Sequence, residues 1–187
     1  SNYLPSKYLL WKRKYFKKIK FLKQSKLKGT AIAIRDALKT SKEEIFGVVW
    51  SDQIGLSKKT VKFSIDKFDQ KKMNIIVPIN YSKNCYTNVI LNKNNNVKEI
   101  KNKSNSKKVS KNGFNDCGFF IFKKSKIFKI INKNIKNKKL LNFKSEYDFL
   151  NLFKNLNENK SFSILSKDKK DILGINTKRD LIKIKWN

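Results

Sequence analysis

The sequence predicts an α/β fold, and two observations carry that expectation. Short apolar runs alternate with stretches of helical periodicity along the chain, the rhythm of strands linked by helices. One run, Ile45-Phe-Gly-Val-Val-Trp50, is apolar on both faces and bounded by charge on one side and by Ser51-Asp52 on the other. That pattern predicts a buried central strand.

In chain order, residues 19–22 read as a strand, and residues 30–39, with Ile32, Ile34, Ala37 and Leu38 apolar, as a helix opened by Gly29. Residues 45–50 form the central strand and residues 73–79 the next. Two runs, 86–91 and 97–100, flank Asn92-Lys-Asn-Asn-Asn96, a polar turn that fits a hairpin. Residues 101–112, rich in Lys, Ser and Asn, read as a loop. A strand at 119–122 precedes a helix over 125–137 whose Ile127, Phe128, Ile130 and Ile131 share one side. Residues 146–156 read as an amphipathic helix, with Phe149, Leu150, Leu152, Phe153 and Leu156 toward the core. A strand at 162–165 and a helix at 177–184 close the pattern.

At 187 residues the chain suits one domain with a real core. The formal charge of +31 points at first to a nucleic-acid or anionic-membrane partner. Two features argue against it. Arg13, Arg35 and Arg179 are the only arginines, and the lysines are scattered through every segment, whereas base and phosphate readers favour the arginine fork. Lys, Asn and Ile together make up nearly half of the sequence, a skew that AT-rich coding produces whatever the function. Cys85 and Cys117 lack metal-site spacing and there is no histidine, which excludes a His-based triad and leaves two reduced thiols of a cytoplasmic protein. No apolar run approaches a membrane span, and residues 1–20 lack the apolar core of a signal peptide. The chain begins at Ser1 without an initiator Met, so it is expected to derive from something longer.

Three islands carry candidate chemistry. In Gln24-Ser-Lys-Leu-Lys-Gly-Thr-Ala31 a strand gives way to a helix, whose free N–H groups hold either an anion or simply the start of the helix. Asp52 follows the strand 45–50 directly. Ligands of open α/β sheets sit beyond the carboxyl ends of strands, although an Asp that merely turns the chain fits equally. Leu173-Gly-Ile-Asn-Thr177 precedes the last helix, where Thr177 with Asp180 makes an acceptable capping box and Asn176 fits a turn.

Taken in order, these islands resemble the nucleotide-diphospho-sugar transferase superfamily, most closely the uridylyltransferase domain of bacterial N-acetylglucosamine-1-phosphate uridylyltransferases, enzymes of cell-wall precursor synthesis. Gln24, Gly29, Thr30, Ala31, Asp52, Gly174 and Asn176 occupy the places of that family's Gln, Gly-Thr-Ala, aromatic-Gly-Asp and Gly-Ile-Asn. Tyr86, the run Asp116-Cys-Gly-Phe-Phe-Ile-Phe122 and Glu146-Tyr147 extend the likeness over residues 19–185. The resemblance implies a mostly parallel mixed sheet with helices on both faces, Rossmann-like. It implies nucleotidyl transfer from a nucleoside triphosphate, UTP first, to a sugar 1-phosphate with release of pyrophosphate. Gln24, Gly29 and Thr30 would meet the base, Asp52 and Asn176 would hold Mg²⁺ from opposite ends of the chain, and Tyr86, Thr87 and Asp116 would face the sugar.

The departures are as specific. Ser51 stands in place of a Gly, Thr87 and Asn88 in place of Gly-Arg, Asn102 near a sugar-binding Glu, and Asp116 in place of an Asn. The family's opening strand and Gly-rich phosphate loop have no counterpart, so the chain, residues 1–187, is expected to be a partial domain that turns over little. It is also expected to expose the sheet edge that the missing strand would cover. Two other classes remain: a non-catalytic relative serving as a subunit, and a basic nucleic-acid binder, which would show steeply salt-dependent association.

Overall fold

The computed structural model describes residues 22–24, 27–71, 73–103, 110–156, 160–175, 177, 180 and 182. Most of the strand expected at 19–22 and most of the helix expected at 177–184 lie outside them, as does Asn176.

Helix α1, Thr30–Lys39, has the bounds expected from its periodicity, and it buries Ala31, Ile32, Ile34 and Leu38. Strand β1, Ile45–Val49, leads to helix α2, Lys58–Lys71, and to strand β2, Ile75–Ser82. Strands β3, Thr87–Leu91, and β4, Val97–Asn102, form the expected hairpin. Its turn is organised by Asn92, whose Oδ1 accepts the N–H groups of Asn94 and Asn96, while Asn95 takes a left-handed φ of 59° that asparagine tolerates. Strand β5, Gly113–Asp116, and strand β6, Phe119–Lys123, precede helix α3, Lys124–Lys136. A 3-10 helix η1, Phe149–Asn155, strand β7, Ser161–Leu165, and a second 3-10 turn η2, Lys169–Ile172, complete the described chain. The amphipathic stretch expected at 146–156 is thus a shorter and tighter helix. Asp148 stops it at the amino end by accepting the Leu150 N–H.

The expected mixed sheet with helices on both faces is present. β6 lies between β1 and β2, antiparallel to each, and β7 runs parallel to β2 along its other edge. β1, β2 and β7 therefore point one way, and β5 and β6 the other. β5 and β6 are interrupted at Cys117-Gly118. β5 follows the second half of β2, and β6 crosses to pair with β1 over its whole length. Gly118 allows this bend with a φ of 62°.

Alternation divides the core. Ile75, Val77, Ile79, Phe120 and Phe122 face one side, under α1, α3 and η1, where Phe149 packs edge to face against both Phe120 and Phe153. Ile76, Phe119 and Ile121 face the other side, under Phe68 of α2. Each fully buried Phe contributes about 1.5–3 kcal/mol, so the first face holds the larger share of the stability.

The expectation for residues 45–50 is corrected in one respect. β1 is the end strand of the path and not a central one. Phe46 and Val48 pack on the larger core, but Ile45 and Val49 are each 49% exposed, and among the described residues only β6 pairs with β1. Apolar composition on both faces does not distinguish a central strand from an edge strand with one uncovered face. No helix among the described residues is long and apolar enough to cross a membrane.

Candidate active site

β1 ends at Val49 beside the start of β6, and β5 ends at Asp116 beside β2. After Val49 the chain turns through Trp50-Ser51-Asp52, with the Trp50 N–H held by the Gly118 carbonyl at 2.9 Å. Beside that turn lies a cavity of about 470 Å³ whose wall includes Gly29, Thr30, Asp52, Tyr86, Thr87 and Asp116. The six come from four separate segments of the sequence, and all are residues that the sequence singles out.

Gly29 and Thr30 reach the wall because the start of α1 runs against residues 147–149. Tyr147 N–H donates to the Lys28 carbonyl at 2.8 Å, and Ala31 N–H donates to the Tyr147 carbonyl at 2.9 Å. Gly29 has a φ of 98°, and a Cβ there would lie 2.4 Å from the Tyr147 oxygen, so this close approach admits no side chain. Thr30 does not cap its own helix. Its Oγ1 accepts the Phe149 N–H at 2.9 Å, which ties the amino end of α1 to the aromatic core.

Asp52 is exposed on the cavity rim. The turn carrying it is joined to the segment that carries Asn176: Ile175 N–H donates to the Asp52 carbonyl at 2.9 Å, and Gln53 bridges to Gly174. The Gln53 amide donates to the carbonyls of Asp171 at 2.7 Å and Leu173 at 3.0 Å. Asp52 and Gly174 therefore line one cavity. Asn176 itself is outside the described residues.

Opposite this rim, Asp116 is buried. Its Oδ2 accepts the Thr87 hydroxyl at 2.6 Å and its Oδ1 accepts the Gly118 N–H at 2.8 Å. Burial raises its pKa above the usual carboxylate range, opposed first by those two hydrogen bonds and then by its own backbone N–H, and the charge of Asp52 adds a smaller upward push. Asn115 beside it accepts the Thr87 N–H at 3.2 Å, so Thr87 is clamped by both of its neighbours on β5. Tyr86 is 41% exposed at the mouth.

Gln24 is not part of the cavity wall, and its Nε2 is buried with no hydrogen-bond partner among the described residues. Several wall residues were not read from the sequence as site residues: Gln53, Asn115, Lys144 and Asp148. Asn115 and Gln53 adjoin Asp116 and Asp52, and that adjacency was the available signal. Lys144 and Asp148 sit in a polar stretch that gives none. Among the described residues, no three His, Cys, Asp or Glu side chains converge to hold a metal.

No family model matches the sequence, and no curated protein matches it. Solved structures do. The crystal structure of a UDP-glucose pyrophosphorylase complexed with UDP-glucose aligns with a TM-score of 0.60 at 17% identity, over 82% of this chain and 62% of that one. HddC from Yersinia pseudotuberculosis aligns with a TM-score of 0.54 at 18% identity, over 77% of this chain and 56% of that one. At such identities the likeness shows the fold alone, which this chain shares with these two proteins. The chain spans about three fifths of the length of these two proteins.

Proposed function

We propose that this chain carries the substrate cavity of a nucleotidyltransferase that joins a sugar 1-phosphate to a nucleoside triphosphate, UTP first, releasing pyrophosphate. One observation carries the reading: a single cavity beyond the carboxyl end of β1 gathers Gly29, Thr30, Asp52, Tyr86, Thr87 and Asp116. In an open α/β sheet that is where ligands bind. The shared fold with a pyrophosphorylase solved with UDP-glucose supports it.

In this reading Gln24, Gly29 and Thr30 attend the base. Gly29 offers a bare backbone beside the wall, and its lack of a side chain also serves the packing against Tyr147. Gln24 would need to turn toward the cavity to contribute. Tyr86, Thr87 and Asp116 attend the sugar.

The donor set near Asp52 suits Mg²⁺, a hard cation bound by one or two protein oxygens together with substrate phosphates and water. Asp52 would supply a carboxylate oxygen and Asn176 an amide oxygen, the second arriving on the segment whose Ile175 N–H is bonded to the Asp52 carbonyl. When bound, the ion would neutralise charge on the triphosphate as the new bond forms. A phosphate oxygen of the sugar 1-phosphate attacks the α-phosphorus in line, and the bond to pyrophosphate breaks. The nucleophile is already ionised, so no side chain needs to remove a proton.

The experiment is a calorimetric titration of UTP with and without Mg²⁺, followed by a pyrophosphate-release assay with a sugar 1-phosphate. Mg²⁺-dependent UTP binding is expected, weakened at least about tenfold in Asp52→Ala. A protein that binds neither UTP nor a sugar 1-phosphate overturns the reading.

A further inference from the structure

The whole chain carries 45 Lys and Arg against 14 Asp and Glu, yet its cavity has the opposite balance. Asp52, Asp116, Glu146 and Asp148 are on the wall, and Lys144 is the one basic residue there among the described residues. Surface lysines do not decide what this interior accepts. Its wall repels anions except where a metal ion intervenes, and in the proposed function that place is Asp52.

Asp116 is the informative member. It is buried at the wall, and no ion pair reaches it among the described residues. Thr87 and Gly118 give its two oxygens one donor each, whereas a carboxylate has about four acceptor sites. A buried carboxylate without a counter-charge is costly to ionise. The missing element is a positive charge on the cavity side, and among the described residues no side chain pairs with Asp116 to supply it.

We infer that the sugar phosphate taken by this cavity carries a protonated amine on its ring, which sits against Asp116. This rests on the nucleotidyltransferase reading and narrows its substrate class. The ammonium would donate to the unfilled acceptor sites of Asp116 and keep that carboxylate ionised, a charge-assisted hydrogen bond in a water-poor setting. Thr87 acts as a positioning residue. Its hydroxyl and N–H, bonded to Asp116 and Asn115 respectively, fix the plane of the carboxylate. A sugar with a carboxylate in the same place would meet like charge and be rejected.

The test is equilibrium binding in the presence of Mg²⁺ and UTP, comparing glucosamine 1-phosphate, glucose 1-phosphate and glucuronic acid 1-phosphate. The amine should bind at least about fivefold tighter than the neutral sugar, and the acid more weakly than either. In Asp116→Asn the ratio of amine to neutral affinities should fall to about one. That variant is isosteric, and its amide can still accept from Gly118 and pair with the Thr87 hydroxyl; a thermal melt verifies that it folds. If glucose 1-phosphate binds as well as glucosamine 1-phosphate, this inference fails and the nucleotidyltransferase reading stands. A fivefold preference that survives in Asp116→Asn also overturns it, since the amine then reads another group. An Asp116→Asn variant that loses Mg²⁺ affinity while the wild-type ratio is one assigns Asp116 to a cation site instead, and overturns it too. If no sugar phosphate binds, both readings fall together.

Discussion

Two buried aspartates lie on opposite sides of the molecule's purpose. Asp171, fully buried in η2, is matched on every side by the protein: its oxygens accept the Ser57 N–H, the Thr60 hydroxyl and the Asp168 N–H. Asp116 has two donors and a cavity in front of it. The first carboxylate is consumed in joining the amino end of α2 to the segment that closes the site. The second keeps acceptor capacity that no hydrogen bond among the described residues uses. Burial alone does not separate a structural acid from a ligand-reading one; the completeness of its hydrogen bonding does.

The largest effect that would break this comparison is at Asp171. Asp171→Ala removes the acceptor of three donors, the buried Thr60 hydroxyl among them, and should lower the unfolding free energy by about 3 kcal/mol, read from denaturant titration. A loss below about 1 kcal/mol would mean that the network is not holding α2 to η2.

A smaller effect sharpens the contrast through pH. Burial raises the Asp116 pKa in the folded state, so the folded protein binds the extra proton between the ordinary aspartate range and that raised value. The contribution of Asp116 to stability should be flat below the ordinary range and fall as pH rises through this window. Asp116→Asn should remove that fall and give the flatter profile when melts are compared across the window. Identical slopes in the two proteins would show that Asp116 titrates as it does when unfolded.

The smallest stability effect belongs to the rim. Asp52 is exposed and its backbone, not its carboxylate, anchors Ile175, so Asp52→Ala should change stability by no more than about 0.5 kcal/mol while it weakens Mg²⁺-dependent UTP binding. Destabilisation comparable to that of Asp171→Ala would place Asp52 with the structural acids.

How much of this was legible depended on whether burial and hydrophobicity coincide. Helix α1 and strand β6 bury apolar side chains at the regular spacing, and both were read within a residue of their bounds. Helix α2 was not read at all. It presents Thr60, Ser64 and Phe68 to the interior at successive four-residue steps, and two of those three are hydroxyls. Thr60 is buried because it donates to Asp171 and accepts the Lys167 N–H, and Ser64 because it donates to the Thr60 carbonyl. Apolar periodicity cannot reveal such a face. Strand β5 escaped for the same reason, since its buried residues are Asn115 and Asp116. At the candidate site, Asp52, Gly29, Thr30, Tyr86, Thr87 and Asp116 were named from the resemblance and share one cavity. What no local pattern conveyed was the charge of that cavity, which exists only once residues 52, 116, 146 and 148 are brought together.

The closure made by Gln53 also fixes an order of events during synthesis. Its amide binds carbonyls 118 and 120 residues further along the chain, so the turn bearing Asp52 leaves the ribosome long before the segment that completes the rim. The sheet of β1, β6 and β2 can form as soon as residue 123 is free, with the cavity still open on one side. The complete cavity therefore arrives late, after residues 171–175 have docked. Nascent chains arrested before residue 171 should reach the sheet without yet enclosing the cavity.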